Sequence, residues 1–111
     1  MNHIKQFLEQ VHKIITANYG DENFGVEQLA QQMRMSRIQL YRKYKAATGK
    51  PVSDAIRSYR MKRAQELLAN GKYAVGEAAM ECGFGNLKHF STAFKKHFGY
   101  PPGSLLKARP P

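Results

Sequence analysis

Two stretches of this chain, RIQLYRKYKAAT at 37–48 and LKHFSTAFKKHF at 87–98, concentrate the side chains able to do chemistry. In the first, Leu40, Tyr44 and Ala47 recur at i, i+4 and i+7 and set an inward helical stripe, which turns Arg37, Ile38, Tyr41, Arg42 and Lys45 outward. In the second, Leu87, Phe90, Phe94 and Phe98 form the inward stripe and leave Lys88, His89, Thr92 and Lys96 outside. Neither stretch contains an acid. Both outward faces are cationic and suit a polyanion, and between them they add an imidazole, hydroxyls and an aliphatic group. Presented after a tight turn, they can enter a major groove and touch base edges.

Bond-breaking chemistry has no such support. There is no acidic pair, glycine-rich phosphate loop or nucleophile beside a base at a usable spacing. His3, His12 and His97 show no metal-ligand spacing. The single cysteine, Cys82, excludes an internal disulfide and a cysteine-built zinc site and reads as a small buried residue. No enzyme activity, metal or cofactor is therefore expected.

Composition bounds the partner. A chain of 111 residues with 42% hydrophobic content suits one small globular domain or two very small ones sharing an element. Its formal charge of +10 is unevenly placed. Residues 1–33 hold Lys5 and Lys13 against Glu9, Asp21, Glu22 and Glu27, whereas residues 34–111 hold 16 basic and 4 acidic side chains. The later part is thus suited to a polyanion. No apolar run reaches the length of a membrane span and the N-terminus lacks the apolar block of a signal peptide, so a soluble, cytoplasmic protein with no membrane partner is expected.

The positioning elements follow from periodicity. Ile4, Phe7, Leu8, Val11, Ile14 and Ile15 predict a helix over 3–18. Val26, Leu29, Ala30 and Met33 predict a two-turn helix, and Ser36 caps the next one, which Gly49 and Pro51 end. Only Arg34 and Met35 separate these two, the short connection of a helix-turn-helix. Residues 52–70 predict the longest helix, about 27 Å at 1.5 Å per residue, with Val52, Ala55, Ile56, Tyr59, Arg63 or Ala64, Leu67 and Leu68 on one stripe. Residues 75–82 form another short helix, Gly83 to Asn86 a turn, and the KARPP tail is too rich in proline to continue helically.

A repeat underlies this order. Leu40, Tyr44, Gly49 and Pro51 recur as Phe90, Phe94, Gly99 and Pro101, each 50 positions on, and Ala30 recurs as Ala79, 49 positions on. The chain is therefore read as all-α, about seven helices, with two helix-turn-helix units joined by a long linker helix. Residues 1–51 hold the N-terminal helix and first unit, 52–71 the linker, and 72–111 the second unit and tail. Gly83 is expected at positive φ, with Phe84 plugging the turn and Asn86 capping the helix. Arg34 stands where the second copy has Gly83, which implies backbone strain and an added phosphate contact. Arg57, Arg60 and Arg63 on the linker are expected to pair with Asp54 or Glu66, or to pack their stems.

The run ECGFGNLKHFSTAFKKHFGYPP resembles the signature of the AraC/XylS transcription regulators: a GF turn, an F-S-x-x-F-K core, then G-x-x-P. LAQQMRMSRIQLYRKYKAATGKP and IRSYRMKRAQELL are similar to that family's first motif and linker helix, and LEQVHKII to the helix preceding them in the output domain of some two-component regulators. The resemblance extends from about Phe24 to Leu106. It implies sequence-specific double-stranded DNA binding for transcription regulation in a bacterium, with recognition helices (about 36–47 and 87–98) in successive major grooves. Carried over position by position, it makes Arg37, Ile38, Tyr41, Arg42, Lys88, His89 and Thr92 base-contacting, and Arg34, Ser36, Lys45, Asn86, Ser91, Lys95 and Lys96 phosphate-contacting. Thr92 and Leu106 stand where members often carry arginine, which implies that the second unit reads fewer bases. RNA polymerase is a further implied partner of an activator, and a sensor or dimerisation domain is implied outside the chain. The competing reading is a nucleic-acid-binding protein held by charge alone, without sequence preference.

Overall fold

Asn2 starts the first helix: its side-chain oxygen accepts a hydrogen bond from the Lys5 backbone N–H at 3.1 Å, satisfying one of the orphan donors of the first turn. The computed structural model describes residues 2–107, among which there are seven helices and no strand. They are α1 His3–Asn18, α2 Val26–Gln32, α3 Arg37–Thr48, α4 Val52–Ala69, α5 Val75–Glu81, α6 Leu87–Phe98 and α7 Gly103–Lys107. The all-α class holds, and the predicted helices fall within a residue of these bounds. The short α7 was not resolved by periodicity, and the end of the KARPP tail, 108–111, lies outside the described residues.

The chain forms two compact units. One comprises the residues up to Tyr19 together with Asn23–Tyr59, the other Gly20–Glu22 together with the residues from Arg60 onward. In the first, Phe7, Val11 and Ile15 of α1 are buried with Phe24, Leu29, Ala30, Met33 and Leu40, and with Val52 and Ile56 from the start of α4. α1 is scaffold, except that Ile4 in its first turn is exposed instead of joining the apolar stripe. Tyr59 closes this unit, its ring edge-on to Tyr19 (5.1 Å between centroids) and to His12 (5.7 Å).

The second unit buries Met61, Ala64 and Leu68 of α4 with Ala78, Ala79, Cys82, Phe90 and Phe94. A run of touching rings, Phe84–Phe90–Phe94–Phe98, ends on Tyr100, whose hydroxyl receives a hydrogen bond from the Gln65 amide at 2.8 Å. Burial pushes the Cys82 thiol up to about 11, which keeps it protonated and inert.

α4 corrects one expectation. Met61 is fully buried, although a single stripe through Val52, Ile56 and Tyr59 leaves it out. At about 100° per residue, Val52, Ile56 and Tyr59 share one side of the helix and Met61, Ala64 and Leu68 another. The apolar register therefore changes where the helix passes from one unit's core to the other's. The linker arginines do take structural roles: Arg57 pairs with Asp54 at 3.3 Å, Arg63 pairs with Glu66, and Arg60 donates to the Asp21 carbonyl at 2.8 Å. No helix among the described residues is long and apolar enough to cross a membrane.

Candidate nucleic-acid interface

Both units build their outward helix in the same way, starting from the short helix before it. The N-terminus of α2 is closed by Gln28, whose side chain accepts from the Gly25 N–H, and that of α5 by Glu77, which accepts from the Ala74 N–H; both bonds are 2.9 Å. Both helices then end in one hydrogen-bond pattern. The Arg34 and Met35 N–H groups bond to Gln31 and Ala30 carbonyls, and those of Gly83 and Phe84 to Met80 and Ala79. This six-to-one plus five-to-two closure needs a left-handed residue in its middle. Gly83 takes it at φ 83°, and Arg34 at φ 58° is the one non-glycine at positive φ among the described residues.

An L-residue held left-handed costs about 1–2 kcal/mol, and glycine returns part of that as lost chain entropy. Arg34→Gly is therefore expected to stabilise the protein by on the order of 0.5–1 kcal/mol, read as a raised Tm in thermal unfolding. An unchanged or lowered Tm would show that the Arg34 side chain contributes packing that offsets its backbone.

The recognition-type helices start from matched caps. The Ser36 hydroxyl accepts from the Gln39 N–H at 3.1 Å while the Gln39 side chain accepts from the Ser36 N–H at 2.9 Å. In the second copy the Asn86 side chain accepts from the His89 N–H at 2.9 Å. Each helix stops at a left-handed glycine, Gly49 or Gly99, so α3 and α6 are both twelve residues long.

The faces are as expected with one correction. Arg37, Ile38, Tyr41, Arg42 and Lys45 of α3 are exposed, as are Arg34 and Ser36 before it. On α6, Lys88, His89, Thr92, Lys95 and Lys96 are exposed, Asn86 at its cap is exposed, and Ser91 is half-buried. Leu87, expected in the core, is instead 51% exposed. It sits in the first turn of α6, and Gly76 of α5, which lies close by, has no side chain to lay over it.

One cation escaped the periodic reading. Arg34, Met35, Gln39, Arg42 and Lys43 line a single shallow groove, with the Lys43 ammonium 4.6 Å from the centre of the Phe7 ring. Lys43 follows Gln39 by one helical turn, the spacing that signals a shared edge. No group of three or more potential metal ligands is found among the described residues.

A family profile described as a helix-turn-helix domain matches residues 29–108, which includes both turns and both outward helices. The chain belongs to the AraC/XylS family. AraC-type domains are DNA-binding domains of transcription regulators, not a family of enzymes. The chain is 36% identical over 103 residues to the Msm operon regulatory protein of Streptococcus mutans, covering 93% of this chain and 37% of that protein. It spans between 7% and 37% of the first curated relatives it matches. Among solved structures it is similar to the C-terminal domain of the two-component response regulator yesN from Fusobacterium nucleatum, with TM-score 0.86, 28% identity, and 91% and 98% of the two chains covered. It is likewise similar to the DNA-binding domain of the global transcriptional factor AdpA, solved in complex with a target DNA, with TM-score 0.82, 29% identity, and 91% and 90% covered.

Proposed function

We propose that this AraC-type domain binds double-stranded DNA sequence-specifically, with α3 and α6 in successive major grooves. The observation that carries the reading is the duplicated construction: two helices of equal length, each begun by a capping side chain and ended by a left-handed glycine, each presenting an acid-free face. In this reading Arg37, Ile38, Tyr41 and Arg42 read one half-site and Lys88, His89 and Thr92 the other. Arg34, Ser36, Lys45, Asn86, Ser91, Lys95 and Lys96 hold the phosphates. Arginine forks suit guanine, Ile38 suits a thymine methyl, and lysine or histidine can donate to purine acceptors. The AdpA domain's complex with a target DNA supports the partner.

α4 contributes residues to both units. Two half-sites about 10 bp apart on one chain need no palindrome, so the site is asymmetric. The domain reading is 1–51 and 72–111 as the two units, joined by 52–71. Contact with RNA polymerase, and control by a sensor or dimerisation domain, belong to this reading as family features. Relatives far longer than this chain support the latter.

Lys96→Ala tests the phosphate assignments. It should weaken binding to all duplexes alike and lower the slope of log affinity against log salt by about one, measured by fluorescence anisotropy over a salt series. Arg34→Gly should lower that slope similarly while raising Tm. A retained slope removes the residue from the phosphate set.

A further inference from the structure

We infer that Leu87 is a specificity-determining residue, reading a thymine methyl group in the half-site of the second unit. This rests on the proposed entry of α6 into a major groove. A lone exposed leucine needs no explanation; the register of this one does. Ser36 and Asn86 occupy the same cap position, each accepting from the N–H three residues on. The residue that follows each cap is Arg37 in the first unit and Leu87 in the second. The second copy thus has an aliphatic group, half in water, where the first presents a guanidinium assigned to base edges.

Exposure of large apolar side chains is concentrated on these helices. Of the five exposed among the described residues, Ile38, Tyr41 and Leu87 lie on α3 and α6. Nothing at Gly76 covers Leu87 either: a Cβ placed there would stand 3.9 Å from Leu87 Cδ2, at ordinary contact distance, and the glycine leaves that position empty. An aliphatic tip held at the start of a recognition helix has one base-edge feature to match in a major groove, the C5-methyl of thymine. Arginine at the same register takes guanine. The two half-sites are therefore chemically unlike at corresponding positions, which deepens the asymmetry of the site.

The test uses the full chain and the duplex selected by the wild-type protein from a random pool. Each thymine of the second block is replaced in turn by deoxyuridine, which lacks the methyl, and Kd is measured for wild type, Leu87→Ala and Leu87→Met. The wild type should lose about fourfold at one thymine, the change expected for burying one methyl-sized group. Leu87→Met should keep that sensitivity, and Leu87→Ala should bind the thymine duplex more weakly and be indifferent to the methyl. Equal methyl sensitivity in wild type and Leu87→Ala at every thymine, or none in the wild type, overturns the inference while leaving the DNA reading intact. Selection of no motif by the wild type overturns both.

Discussion

Replacing Phe94 by alanine will destabilise the second unit by about 3–5 kcal/mol, a large share of the ~5–15 kcal/mol that holds a small domain folded. Phe94 is fully buried and touches three other rings: Phe98 at 4.6 Å, Phe90 at 5.6 Å and Tyr100 at 5.8 Å between centroids. Removing its ring opens a void among aromatic neighbours that lack the flexibility to refill it. Tyr44 occupies the same position 50 residues earlier but is only half-buried, so Tyr44→Ala will cost less. Thermal unfolding followed by circular dichroism, with hydrogen exchange of the α3 and α6 amides, measures both. The expected result is early loss of α6 protection in Phe94→Ala with α3 retained. Equal losses from the two substitutions would contradict the assignment of Phe94 as the centre of its core.

Arg42→Ala is expected to cost about 1–3 kcal/mol on the selected duplex and to relax the preference at one base pair. Arg42 is exposed and lies one helical turn beyond Ile38, on the edge of the groove it shares with Arg34 and Lys43. A positional effect follows if its fork meets a guanine. If it meets only the backbone, every duplex weakens alike. Binding of a panel of single-base-pair variants by wild type and Arg42→Ala separates the two, and equal loss on unrelated DNA would remove Arg42 from the base readers.

Much of this architecture was legible because local rules agreed with the tertiary arrangement. Ser36 and Asn86 cap as their types predict, and the 49- and 50-residue offsets locate both turns before any coordinates are needed. The one-residue difference between the offsets is the extra turn residue Gly85, which precedes Asn86 where Ser36 directly follows Met35. Even the strain at Arg34 was readable, since it stands in the register of a glycine.

What escaped the sequence depends on what lies opposite a residue. Leu87 continues the Phe90–Phe94 stripe by spacing, yet in the first turn of α6, beside the side-chain-free Gly76, it stays exposed. Met61 falls off the stripe set by Val52 and Ile56 because α4 serves two cores in different registers, and a single periodicity cannot describe both. Ile4 has helical spacing but stands exposed in the first turn of α1. Lys43 carries no signal in the periodicity, and only the fold places the Phe7 ring beneath it and Arg34 in the same groove.

The most direct test of the proposed function is selection of bound duplexes from a random pool by the purified 111-residue chain at about 150 mM salt, where charge alone is largely screened. The expected result is an asymmetric site of two unequal blocks about 10 bp apart. Recovery of no sequence motif, or of a single block only, would contradict it.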